Sequence, residues 1–145
     1  MPYRRNYPAS VADVLDPPVR FRRGVVRAVR LFAWMKPWRG TVEERRAKFL
    51  RALRMLCEVY GMDHVPDLRL VMIDAGVSSN GFYSPGAHVI GLIGKMSVLT
   101  FLHEFGHALG KDERQACRWS LNLFRRCFPR SFARCRMVGH TLVQG

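Results

Sequence analysis

The segment FLHEFGHALGKDE, Phe101 to Glu113, sets two imidazoles four residues apart in an otherwise apolar run. On a helix, side chains i and i+4 lie one above the other, so His103 and His107 share a face and can offer two neutral ring nitrogens to one zinc ion. Glu104, the neighbour of His103, is not needed as a ligand. Its carboxylate can instead act as general base and take a proton from water held by the metal. Val98, Leu99, Phe101, Leu102, Phe105, Ala108 and Leu109 predict a buried helix around this motif, and Gly110 is a natural stop. Two histidines and an acid on such a helix need a metal or polar partners, because an uncompensated buried carboxylate is costly.

A catalytic zinc takes three protein ligands and keeps one position open. The next residues, DERQACRWSLNLFRRCF, read as a second helix that starts at once, with Asp112 as N-cap and Gln115 completing a capping-box-like pair. Glu113 is then the first helical residue. Helical spacing from Glu113 leads to Ala116, Cys117, Ser120, Leu123, Phe124 and Cys127, a small-to-apolar stripe that should turn inward. Glu113 is therefore predicted, ahead of Asp112, as the third ligand. The alternative is that both acids only complement the positive end of the second helix.

The run HEFGHALG followed by Glu113-x-x-Ala116, Trp119-Ser120, Leu123 and Pro129 resembles the metallopeptidase core of the ImmA/IrrE type, within the gluzincin-like zinc peptidases. GFYSPGAHVIGL resembles the strand pair that precedes the zinc helix in that group. The resemblance spans roughly residues 68–129. It departs in a short inter-helix loop and in Trp119-Ser120, where the family usually carries Phe-Ala. It implies a minimal zincin-like core in which Glu113 is the third zinc ligand and a helix behind the sheet supports the zinc helix.

At 145 residues with 48% apolar content, the chain suits one domain-sized core. Its 24 Lys and Arg against 11 Asp and Glu give +13, which favours polyanions such as nucleic acid, an anionic membrane face or acidic protein, or else a solvated basic surface. No twenty-residue apolar span and no signal-peptide pattern appear, so a cytoplasmic protein is expected. Cys57, Cys117, Cys127 and Cys135 should then be reduced thiols. A second, structural zinc site of Cys117, Cys127, Cys135 and His140 is a weaker alternative, since Cys117 and Cys127 also fit the buried stripe.

Along the chain, residues 1–40 read as a basic arm followed by an amphipathic helix, 41–129 as the peptidase-like core, and 130–145 as a basic tail. The first 18 residues, rich in Pro, Arg and Tyr, should be extended or mobile. Val25, Val26, Val29, Phe32 and Ala33 form one helical face opposite Arg23, Arg27 and Arg30, suited to packing, to a membrane surface or to phosphates. Thr41 and Glu44 predict a capping box that opens a helix to about Tyr60, ended by Gly61. Leu68 to Ile73 predict a strand, and Gly81–Tyr83 with His88–Ile93 a hairpin around Ser84-Pro85-Gly86-Ala87. Tyr83, and less so His88, are candidates to stabilise an oxyanion; His64 should be at the surface. After Pro129 a short helix with an ordered end, or an arginine patch, is expected.

The expected fold is α+β with a small, mainly antiparallel sheet. The expected function is zinc-dependent hydrolysis of a protein or peptide substrate, with Zn2+ on His103, His107 and Glu113 and with Glu104 as base. The alternative is a basic nucleic-acid-binding or virion-associated domain whose zinc is structural or weakly active. A combination of the two would be a protease recruited to nucleic acid.

Overall fold

The computed structural model describes residues 15, 18–71, 80–138 and 141–144. Among them are helices α1 (Val25–Trp34), α2 (Val42–Val59), α3 (Val98–Ala108), α4 (Glu113–Cys127) and α5 (Pro129–Ala133), and strands β1 (Asp67–Val71), β2 (Gly81–Ser84), β3 (Val89–Ile93), β4 (Cys135–Val138) and β5 (Thr141–Gln144). The class is α+β.

Helices α2 and α4 begin where their polar signals predict. Thr41 Oγ1 accepts from the Glu44 amide while Glu44 Oε1 accepts from the Thr41 amide, a capping box at the start of α2. Asp112 and Gln115 build the same reciprocal pair at the start of α4. α1 begins only at Val25, because Gly24 ahead of it sits at φ 95° in the left-handed region that favours glycine.

The core is a web of edge-to-face aromatic rings. Phe32 of α1 meets Phe49 of α2 at 5.0 Å and Phe101 of α3 at 5.7 Å between centroids. Leu15, helical and buried, joins the same core, so the end of the segment read as an extended or mobile arm packs inward. α3 is enclosed on all sides: every residue from Leu99 to Gly106 is buried. The sheet lies against one side of it and α4 against the other.

That sheet has the order β1-β3-β2 and is mixed, which corrects the mainly antiparallel arrangement expected. β2 and β3 form the antiparallel hairpin read from the proline-glycine turn, whereas β1 runs parallel to β3. The reason lies in connectivity: β1 is not joined to β3 by a turn, and strand composition alone carries no direction. β1 ends at Val71, and residues 72 and 73 of the expected strand lie outside those described. Phe82 stands opposite Gly91, and a Cβ on Gly91 would fall within 2.2 Å of the Phe82 ring, so glycine at this position makes room for the aromatic.

The basic residues of α2 are not merely solvated. Arg45 donates to the carbonyls of Pro37 and Met96, Arg46 to that of Leu68, and Lys48 to those of Lys36 and Arg39. These cations fasten the turn before α2, strand β1 and the loop before α3. Beyond Pro129 the expected short helix is α5, and β4 and β5 then pair as an antiparallel hairpin that the sequence did not announce. Among the described residues no helix is long and apolar enough to cross a membrane.

Candidate metal centre

The turn between α3 and α4 determines where the acid meets the imidazoles. The Lys111 amide donates to the Gly106 carbonyl and the Gly110 amide to that of His107, with Gly110 at φ 88°; this is a Schellman closure. It ends α3 at Ala108, one residue beyond His107, and Asp112 caps the start of α4 after only three more residues. Glu113, the first residue of α4, is thereby folded back over the HExxH face. Glu113 Oε1 lies 2.6 Å from His103 Nε2 and 3.3 Å from His107 Nε2. Asp112, the other acid considered, spends its carboxylate on the α4 cap.

Close helix packing makes this possible. A Cβ on Gly106 would sit 3.2 Å from the Ala116 Cβ, so α3 and α4 pack tightly where Gly106 faces Ala116. The small residue three positions after Glu113 thus has a physical task, which is to let α4 lie close enough for Glu113 to reach.

The hydrogen-bond arithmetic at His107 is informative. Its Nδ1 lies 2.9 Å from the Lys111 carbonyl and its Nε2 faces the Glu113 carboxylate, so both ring nitrogens look at acceptors. A neutral imidazole has one N–H and cannot serve both. Serving both needs the imidazolium; a neutral ring that gives Nδ1–H to Lys111 leaves at Nε2 a lone pair open to a cation or to the proton of a protonated Glu113 carboxyl. In the metal-free site the Glu113 hydrogen bond, aided by the Lys111 carbonyl and the charges of Glu104 and Glu113, raises the His107 pKa against the opposing effect of burial. With Nδ1–H given to Lys111, the lone pair at Nε2 points at the convergence of the three side chains. This is the usual orientation for an imidazole ligand.

The donor set suits zinc. Tetrahedral coordination at bond lengths near 2.0–2.1 Å separates two donors by about 3.3 Å, which the His107–Glu113 spacing matches. The 2.6 Å between His103 and Glu113 is a hydrogen-bond distance, which a shared cation would widen. His103 is fully buried, while the side chains of His107 and Glu113 keep 20% and 35% of their exposure, so the cluster opens to solvent on the Glu113 side.

Among the described residues two overlapping groups could hold a cation: His103, Glu104 and His107, and His103, Glu113 and Cys117, with the donor atoms of each within 4.8 Å of one another. Cys117, which its spacing assigns to the apolar stripe or to a second zinc site, borders this cluster. It lies 3.8 Å from both His103 Nδ1 and Glu113 Oε1. The signal was present, since Cys117 is four residues on from Glu113 and must share its face.

The other thiols go elsewhere: Cys127 Sγ contacts the Val26 carbonyl and Cys135 Sγ the Ser131 carbonyl, so the structure does not gather the alternative cysteine site. His140 lies outside the described residues. All four cysteines are free thiols, as expected.

Comparison with protein-family models, with curated proteins and with solved structures returns no match. The site is therefore read from its own geometry.

Glu104 is buried and lies against β2, where a Cβ on Gly81 would come within 3.4 Å of Glu104 Cγ. β2 is an edge strand, so the sheet edge nearest the imidazoles is the Gly81 strand. Tyr83, two residues along it, directs its hydroxyl to His88 Nδ1 at 2.9 Å, and His88 Nε2 meets the carbonyl of the exposed His64 at 2.8 Å. This chain of bonds steadies His88, whose φ of 54° is unusual for a residue other than glycine. The structure brings His103, Glu104, His107 and Glu113 together, and it pairs Tyr83 and His88 with each other at the hairpin.

Proposed function

We propose that this chain is a zinc-dependent peptidase of gluzincin-like, ImmA/IrrE-type design, acting on a protein or peptide substrate in the cytoplasm. The observation that carries the reading is Glu113 Oε1 lying within 3.3 Å of both imidazole Nε2 atoms, on helices joined by a four-residue turn. When bound, zinc would supply a Lewis acid that polarises a carbonyl oxygen and makes water a better nucleophile at neutral pH. His103, His107 and Glu113 would hold it.

Glu104 serves as the general base. Its carboxylate accepts a proton from the attacking water and returns it to the nitrogen of the leaving amine. Burial beside Gly81 limits its contact with bulk solvent, and a carboxylate oxygen stands within 4.8 Å of a ring nitrogen of each imidazole. The outer edge of β2 offers backbone groups to an extended peptide, which would align the scissile bond without a deep pocket. Tyr83 on the same strand is a candidate oxyanion donor, provided its hydroxyl exchanges His88 for substrate.

Glu104→Gln tests the assignment: it should retain zinc and lower peptide cleavage by about 10²–10⁴-fold. Undiminished cleavage in that variant would remove Glu104 from the mechanism.

A further inference from the structure

α4 carries a second chemistry on its other side. Glu113 and Cys117 turn toward His103, whereas Gln115 and Arg118, on the opposite face, line an open groove of about 690 Å³. Four cations border that groove: Arg20 and Arg22 from the segment before α1, Lys111 from the α3–α4 turn, and Arg118. Among the described residues lining it there is no Asp or Glu. Like charges gathered this way repel, and an incoming anion relieves that repulsion. The Arg22 guanidinium lies 5.4 Å from the centroid of the Tyr60 ring, a cation–π contact that holds the fork at the groove wall.

The positive charge continues beyond the groove. Burial pushes the Cys127 thiol up against the charges of Arg30, midway along α1, and Arg126, in the last turn of α4, which are exposed and lower it. Cys127 Sγ also contacts the Val26 carbonyl, which places α1 beside the end of α4. A ten-residue helix such as α1 is about 15 Å long, so the charges are strung along a seam and not collected at one point. Arg23, Arg27, Arg125, Arg130 and Arg134 are exposed as well. Arg45, Arg46 and Lys48 of α2 are engaged by backbone carbonyls.

We propose that this groove and seam bind a single strand of nucleic acid through its phosphates, at a site separate from the imidazole cluster. Arginine forks match phosphate oxygens two at a time, and three of the four groove cations are arginine. A line of cations suits the regular charge spacing of a phosphate backbone better than it suits one small anion. Recognition of this kind is independent of sequence and strongly dependent on salt. It does not require zinc.

The test is fluorescence anisotropy of a labelled single-stranded oligonucleotide titrated with the full chain over a range of salt, comparing two double variants of equal charge change. Arg20→Ala with Lys111→Ala, in the groove, should weaken binding about tenfold and flatten the salt dependence by about one phosphate contact or more. Arg51→Ala with Arg54→Ala, exposed on α2, should cost less than about twofold. Arg20→Ala alone, at an exposed position that cannot unfold the chain by leaving a cavity, should show an intermediate loss. Equal losses in the two double variants would overturn the proposal, as would no binding at low salt. Displacement by polyglutamate as potent as by oligonucleotide of equal charge would make the groove an acidic-peptide site and also overturn it.

Discussion

The two faces of α4 make an instructive pair. On one, Glu113 and Cys117 close over His103 in a largely buried corner, set in place by a short turn and a tight helix crossing. On the other, Gln115 and Arg118 border an open groove whose positive charge comes from three separate segments. The first depends on contacts of 2.6–3.8 Å that a small shift of α4 would break, the second on summed charge, and changes to α4 should affect them differently.

The largest separation is expected from Gly106→Val. Its branched side chain would press on Ala116 where even a Cβ has only 3.2 Å, push α4 away and cost about 1–3 kcal/mol of stability, measurable by denaturant unfolding. Zinc affinity should fall about 10–100-fold, as for other changes that misplace a ligand, while oligonucleotide binding stays within about twofold. Equal damage to both faces would mean that they are not independent.

A smaller effect follows at the helix start. Asp112→Ala removes the side-chain acceptor of the Gln115 amide and should cost about 1 kcal/mol, seen as a lower unfolding midpoint. Weaker zinc binding should accompany it, because the first turn of α4 carries Glu113.

The smallest effect is one of sign. His107 has a raised pKa, chiefly through its hydrogen bond with Glu113. In the metal-free protein this adds stability that is fully present below the ordinary imidazole value and is lost as pH rises through the raised one. Zinc reverses the slope, since the metal needs His107 Nε2 unprotonated and acid competes for it. Thermal unfolding across that window should therefore show opposite pH trends in loaded and stripped protein. The same trend in both would place the ring outside the metal's ligand set.

The imidazole corner was legible in the sequence because its signals are local. HExxH spacing, the glycine stop, the Asp112 cap and the step to Glu113 all lie within thirteen residues, and short-range geometry fixes each of them. The capping boxes of α2 and α4 and the β2–β3 hairpin were readable for the same reason. The direction of β1 was not, because a strand's composition carries no polarity and β1 pairs with β3, the strand two further along the chain. Nor was the groove, since Arg20, Arg22, Lys111 and Arg118 are separated by up to 98 positions and only folding brings them together. The C-terminal hairpin escaped because Arg-rich residues 134–144 lack a clear alternation, and Cys117 escaped because apolar periodicity explained it equally well.

The central claim is that His103, His107 and Glu113 share one cation. Its most direct test is the zinc content of protein purified without added metal, set beside that of His103→Ala and Glu113→Ala. The account predicts one zinc per native chain, none in His103→Ala and a weakened, readily chelated ion in Glu113→Ala. A metal-free native protein that also takes up no zinc on titration, or a Glu113→Ala variant that holds zinc as tightly as the native chain, would contradict it.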